Sequence, residues 1–175
     1  REDQKALLKE IAASMKLKLD SDELKKVVAE ISGTKRKGIL IQVRAILINY
    51  MDSRYIDLYL RYQKELEKRQ AVDFEDLIAR PTQMLKKDEE LRKRVAAQFG
   101  YVLVDEFQDT SPEQYKLLRQ ITREKDLCVV GDEDQSIYSW RGADREIFKL
   151  FRDDNEGCKV IALEENYRSS KMIIQ

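Results

Sequence analysis

Histidine is absent from this chain, cysteine and proline occur twice each, tryptophan once, and glycine six times in 175 residues. Without histidine, and with only Cys128 and Cys158 to offer thiolates, the chain has no ligand set for a structural zinc site. Each cysteine lies in or beside an apolar run, which predicts reduced core thiols, with one disulfide between them as the alternative. No apolar run approaches the roughly 20 residues that a membrane-crossing helix needs, and no signal-peptide pattern opens the chain. These absences predict a cytoplasmic protein with no membrane span. Net charge is zero, with 33 basic and 33 acidic residues, so overall charge says nothing for or against a polyanionic partner.

What is present is ordinary for a soluble globular protein: 42% apolar and 38% charged residues, enough for one or two modest cores. The charge is unevenly spread. Residues 1–100 hold 22 Lys and Arg against 17 Asp and Glu, and residues 101–175 hold 11 against 16. A basic half beside a polyanion and an acidic half around a metal and nucleotide would divide in this way; solvated helix faces of mixed charge would too.

The pattern changes along the chain as well. From Glu2 to Arg94 apolar residues recur at helical spacing, as in Leu7, Leu8, Ile11 and Met15, then Leu24, Val27, Val28 and Ile31, then Tyr55, Leu58, Tyr59 and Tyr62. The tyrosine series raises the possibility of base stacking, but its periodicity favours a core. Ser32 to Gly38 reads as a loop, with glycines around the basic tract Lys35, Arg36 and Lys37. That tract is a candidate grip on DNA phosphates, with a plain solvated loop as the alternative. The acidic residues of Asp73-Phe74-Glu75-Asp76-Leu77 read as fixing local packing, and Pro81 as interrupting or restarting a helix.

From Tyr101 the order becomes strand, helix, strand, helix, strand, which predicts an α/β unit with a parallel sheet. The three apolar runs Tyr101–Val104, Leu127–Val130 and Val160–Leu163 each end in polar groups: Asp105-Glu106-Phe107-Gln108-Asp109-Thr110, then Gly131 to Ala143, then Glu164-Glu165-Asn166-Tyr167-Arg168-Ser169. Ligands of open α/β sheets bind beyond the carboxyl ends of strands, so these are the places to look for a nucleotide site. A surface turn after a core strand is the bland alternative for any one of them. Ser111-Pro112-Glu113-Gln114 is a helix start, with a hydroxyl cap, proline at the first helical position and glutamine three residues after the cap. The helix should reach about Arg123 with Tyr115, Leu118 and Ile121 inward. Another should begin near Asp144, with Ile147, Phe148 and Phe151 inward, and a third after Ser169 or Ser170.

The segments VLVDEFQDT, GDEDQSIYSWRGA and LEENYRS, in this order and spacing, closely resemble motifs II, III and IV of superfamily 1 DNA helicases of the UvrD/PcrA/Rep family. The resemblance is firm from about Val72 to Gln175. Upstream, Glu2-Asp3-Gln4 and the charged helices look like the helical subdomain inserted into that family's first motor domain. It implies a partial RecA-like P-loop NTPase sheet with helices over residues 95–175, preceded by an all-helical inserted subdomain with its return helices over 1–94. It also implies ATP and Mg²⁺ as cofactors, and single-stranded DNA and duplex junctions as partners.

By the same resemblance Asp105 holds Mg²⁺, and Glu106 beside it serves as the catalytic base and a second metal neighbour. Adjacent side chains on an extended strand point opposite ways, so the two can share a site only if the strand turns there. Gln135 contacts the terminal phosphate and reports its loss; an amide suits this because it both donates and accepts. Tyr138, Trp140 and Arg141 contact single-stranded bases, and such stacking is worth roughly 1–3 kcal/mol per base whatever the sequence; a packed core role is the alternative for Trp140. Tyr167 stacks on adenine and Arg168 reaches the terminal phosphate, with an ion pair to Glu164 or Glu165 as the alternative for the arginine. Gln108 and Asp109 read as loop-fixing and coupling residues.

One departure from the family bounds the expectation. No Gly-x-x-x-x-Gly-Lys-Ser/Thr occurs, because none of the glycines at 33, 38, 100, 131, 142 and 157 begins it. The chain is therefore expected to be an internal fragment of a 3′ to 5′ DNA helicase that does not turn over ATP by itself. A noncatalytic DNA- or partner-binding module on an ATPase-like scaffold is the competing class. A metal-dependent nuclease built on Asp105, Glu106 and Asp132 is a third; it leaves Gln135, Trp140 and Arg168 without a role.

Overall fold

The computed structural model describes residues 2–37, 47–122, 127–136 and 146–174. Helices α1 (Glu2–Ser14), α2 (Ser21–Arg36) and α3 (Ser53–Lys68) form one core. Leu7, Leu8 and Ile11 of α1, Leu24, Val27 and Ile31 of α2, and Tyr55, Ile56, Leu58, Tyr59 and Tyr62 of α3 are buried there together. The tyrosines are core, as their spacing requires. Asp20 begins α2 with a reciprocal cap, its Oδ1 accepting from the Glu23 backbone N–H at 2.8 Å while Glu23 Oε2 accepts from the Asp20 N–H at 3.2 Å.

The basic tract is not the loop its glycines suggest. Helix α2 runs through Gly33 to Arg36, and Lys35 is 0% exposed. Its ammonium lies 2.6 Å from Asp73 Oδ2 and 2.9 Å from Asp76 Oδ1, and 5.4 Å from the centre of the Tyr62 ring. Tyr62 donates its hydroxyl to the same Asp73 oxygen at 3.0 Å. Burial, followed by the nearby Asp73 carboxylate, pushes the Tyr62 phenol well above its usual range. Lys35 is thus spent on an internal ion-pair cluster and is withdrawn as a phosphate contact. Asp73 and Asp76 fix packing, as their segment implied.

Asp76 begins α4 (Asp76–Lys87), which continues through Pro81 instead of breaking there. Ala79, Thr82 and Leu85 of this helix are buried, so packing on one face outweighs the missing N–H. Helices α4, α5 (Glu89–Ala96) and α6 (Pro112–Ile121) pack on one another, and α4 also touches α2. The α6 cap forms as read from the sequence: Ser111 Oγ accepts from Gln114 N at 3.2 Å, and Gln114 Oε1 accepts from Ser111 N at 2.8 Å.

Strands β1 (Val102–Val104) and β2 (Leu127–Val129) pair in parallel, Leu103 opposite Cys128. A second core lies on one side of this sheet, where Val104, Leu127 and Val129 meet Phe107, Tyr115 and, from α7 (Ile147–Asp154), Ile147, Phe148 and Phe151. Phe107 sits edge-on to Tyr115, Phe148 and Phe151, with ring centres 5.2–6.0 Å apart.

On the opposite side Leu103 and Cys128 are exposed, and two expectations are corrected. Cys128 is exposed instead of buried, Cys158 is half-buried, and both thiols are free. Val160–Leu163 form no strand, and Leu163 is 85% exposed. A short apolar segment becomes a strand only when a neighbour takes up its backbone hydrogen bonds. Beyond it α8 (Lys171–Ile174) begins where the third helix was expected. Among the described residues no helix is long and apolar enough to cross a membrane.

Candidate functional site

β1 stops at Val104, and the chain turns at once. Glu106 adopts φ 50°, ψ 42°, the left-handed region that a non-glycine residue enters at a cost of roughly 1–2 kcal/mol. This turn is what the alternation of strand side chains demanded if Asp105 and Glu106 were to share a site. Both now line one cavity of about 400 Å³ together with Val104, Asp109, Thr110, Gln114 and Leu118. Asp105 Oδ1 accepts from the Glu106 N–H at 2.9 Å, which fixes the turn from inside.

The loop after β1 is stitched to the loop after β2. Val130 N donates to Val104 O at 2.8 Å, and Phe107 N donates to Val130 O at 2.9 Å. Gln108, buried at 3% exposure, donates Nε2 to Glu106 Oε2 at 2.6 Å and accepts at Oε1 from the Asp132 N–H at 3.0 Å. Ser136 Oγ donates to Gln108 O at 3.3 Å. Between these bonds lies Gly131, where a Cβ would stand 2.9 Å from Phe107 N and closer still to Gln108 Oε1. The close approach explains the glycine. Its position directly after a strand is the one sign of this role in the sequence.

Gln135 lies in a short 3₁₀ turn, Glu133–Gln135. Asp132 caps that turn, its Oδ1 accepting from Asp134 N at 3.0 Å, while its Oδ2 accepts from Gln135 Nε2 at 2.8 Å. The exposed Gln135 side chain is thereby tied to Asp132, whose backbone N–H bonds the Gln108 amide.

Asp105, Glu106 and Asp109 bring carboxylates to one cavity, and Asp109 Oδ1 is buried with no donor among the described residues. Such hard oxygen ligands fit Mg²⁺, which takes one or two carboxylates and completes its shell with water and phosphate. Among the described residues no three His, Cys, Asp or Glu side chains converge into a complete metal cage.

The comparison with known proteins decides the family. Residues 1–156 match the model of the UvrD/REP helicase N-terminal domain. The chain belongs to the UvrD/REP helicase family. It is 40% identical to the ATP-dependent DNA helicase Rep of Escherichia coli K12 over 175 residues, which is 99% of this chain and 26% of that protein. Rep of Buchnera aphidicola subsp. Schizaphis graminum is 39% identical over 175 residues, again 99% of this chain and 26% of that protein. PcrA of Bacillus subtilis 168 is 45% identical over 127 residues, 72% of this chain and 17% of that protein. The chain spans about a quarter of the length of the Rep relatives it matches. These matches include the helical residues upstream of Val72, where the motifs alone gave a looser likeness.

The remaining candidates of this UvrD/REP chain lie apart from the cavity lining. Tyr167 is exposed and donates its hydroxyl to Glu165, whose carboxylate holds the phenol above its usual range. Asn166 Oδ1 accepts from the Arg168 and Ser169 N–H groups at 2.9 Å each, a local turn that sets the backbone under both side chains. Arg168 is exposed, and among the described residues no ion pair joins it to Glu164 or Glu165. Tyr138, Trp140 and Arg141 lie outside the described residues. Arg36 is half-buried, and Lys37 lines a small cavity of about 140 Å³ with Lys86, Lys116, Thr82 and Gln83.

Proposed function

We propose that this chain is part of an ATP-dependent 3′ to 5′ DNA helicase and carries the carboxylate half of its ATP-hydrolysing centre. The observation that carries this reading is the shared cavity at the end of β1, entered by both Asp105 and Glu106 because Glu106 turns left-handed. Mg²⁺, when bound, would neutralise the charge that develops on the phosphate oxygens as the bond to the leaving group breaks. Asp105 would hold it, through water. Glu106 orients the attacking water and takes its proton; such a base contributes typically 10²- to 10⁴-fold. Gln135 offers an amide to the terminal phosphate, Arg168 offers it a bidentate cation, and Tyr167 offers its ring to the base.

Single-stranded DNA and duplex junctions are the partners this reading requires. Trp140, Tyr138 and Arg141 supply base contacts, and Arg36 and Lys37 supply phosphate contacts. Residues 95–175 would be the latter part of a RecA-like motor domain, and residues 1–94 its inserted helices and return helices. The side of the β1–β2 sheet on which Leu103 and Cys128 are exposed supports a larger sheet in the complete protein.

The chain lacks the Gly-x-x-x-x-Gly-Lys-Ser/Thr cradle, so phosphate release from Mg-ATP by this chain alone should stay at background with or without single-stranded DNA. The complete protein that contains it should hydrolyse ATP and be stimulated by single-stranded DNA. A complete protein that binds DNA without hydrolysing ATP would favour the noncatalytic module. Release by the isolated chain that Glu106→Gln abolishes would show a phosphate cradle elsewhere in these 175 residues.

A further inference from the structure

Between the proposed base and the proposed phosphate-contacting amide runs an unbroken series of hydrogen bonds. Glu106 Oε2 accepts from Gln108 Nε2 at 2.6 Å, Gln108 Oε1 accepts from Asp132 N at 3.0 Å, and Asp132 Oδ2 accepts from Gln135 Nε2 at 2.8 Å. Gln108 is the only buried member of the four and the only one whose side chain faces both loops. A side-chain amide donates from its nitrogen and accepts at its oxygen, and neither a carboxylate nor an apolar side chain can make both bonds.

We propose that Gln108 is a positioning residue through which the turn after β2 controls where the Glu106 carboxylate sits. This rests on the reading of Glu106 as the hydrolytic base and goes beyond it by assigning how that base is regulated. Glu106 is otherwise free to swing: it is exposed, sits on a single left-handed residue, and has no ion-pair partner among the described residues. One short bond from a buried amide fixes its rotamer. The other end of that amide is tied to the Asp132 backbone, and Ser136 Oγ holds the Gln108 carbonyl. A shift of the 132–136 turn large enough to break the Asp132 bond therefore releases Gln108, and with it Glu106. Gly131 supplies the room that lets the amide lie between the loops. A turn that moves with the contents of the nucleotide and DNA sites would in this way switch the base on and off without touching it.

The test has two arms. In this chain, Gln108→Met removes both side-chain bonds at nearly constant volume. Amide hydrogen exchange at Asp132 should rise at least tenfold, while Phe107, whose N–H is bonded to Val130 O, should change less than twofold. Equal acceleration at both amides, or none at Asp132, would overturn the bridge. In the complete protein, Gln108→Met should lower DNA-stimulated kcat for ATP by about 10- to 100-fold, the range typical of outer-shell partners that orient the ligands of a metal site. KM for ATP should stay within about twofold.

The same substitution on a Glu106→Gln background should cause no further loss, because Gln108 acts only through Glu106. Gly131→Ala keeps every hydrogen-bonding group but crowds the amide, and should reproduce the kcat loss. Additive losses in the double variant, or a change in KM alone, would overturn the proposal. Wild-type protein without DNA-stimulated hydrolysis would instead refute the helicase reading, and the exchange arm would still decide whether Gln108 holds the turn.

Discussion

Arg168→Ala is expected to lower the DNA-stimulated ATP turnover of the complete protein by about 10³- to 10⁵-fold, the range seen when a phosphoryl-transfer enzyme loses the arginine that meets its transition-state charge. Asn166 takes the backbone N–H groups of Arg168 and Ser169 on one side-chain oxygen, so the arginine leaves a fixed backbone. A guanidinium is planar and binds two oxygens at once. Nearby Glu164 and Glu165 do not claim it among the described residues, and Glu165 is engaged by Tyr167 instead. Arg168→Lys should recover little, since an ammonium cannot make the two-oxygen contact. Steady-state phosphate release at saturating single-stranded DNA checks this; an alanine variant within tenfold of wild type would remove Arg168 from the phosphate site.

The second large effect is on folding. Lys35→Met should destabilise the chain by about 3–5 kcal/mol, because it leaves Asp73 and Asp76 buried without a cation. Asp73 and Asp76 side chains are 6% and 0% exposed, so solvent cannot take over. Arg80 reaches Asp76 Oδ2 at 3.3 Å, but only from the half-exposed side of the cluster. A loss of that size is a large part of the roughly 5–15 kcal/mol that holds a domain folded. Replacing Lys35 together with both aspartates by apolar or amide residues should recover much of it, since the cost lies in unpaired charge. Urea unfolding followed by far-ultraviolet circular dichroism measures the effect. A Lys35→Met midpoint equal to wild type would mean that the cluster is solvated in solution, and would return Lys35 to the candidates for DNA contact.

Lys35 also shows where sequence reasoning stops. Its partners are 38 and 41 residues away, and nothing local distinguishes it from Arg36 and Lys37 beside it. The glycines around the tract argued for a loop, yet burial of Ile31, Thr34 and Lys35 carries the helix through Gly33. The α6 cap, the β1 and β2 strands and the tyrosine core were legible because each is set by residues within a few positions of one another. Val160–Leu163 has the composition of a strand but no neighbour to pair with among the described residues, and composition cannot supply one.

At the site, the residue types gave the chemistry and the alternation of strand side chains called for a turn after Asp105. That the turn would be a left-handed Glu106 was not visible in the letters. Nor was the use of both ends of the Gln108 amide, since Asp132 lies 24 residues further on. The motifs, by contrast, carried the family on their own, and the match over residues 1–156 extends that assignment across the helical half.

The most direct measurement is phosphate release by the complete protein with and without single-stranded DNA, wild type beside Glu106→Gln, with nucleotide and DNA binding measured on the same samples. Loss of about 10²- to 10⁴-fold in turnover with both bindings retained is the predicted result. Undiminished DNA-stimulated hydrolysis in the Glu106→Gln protein would contradict the assignment of the β1 carboxylates as the hydrolytic centre.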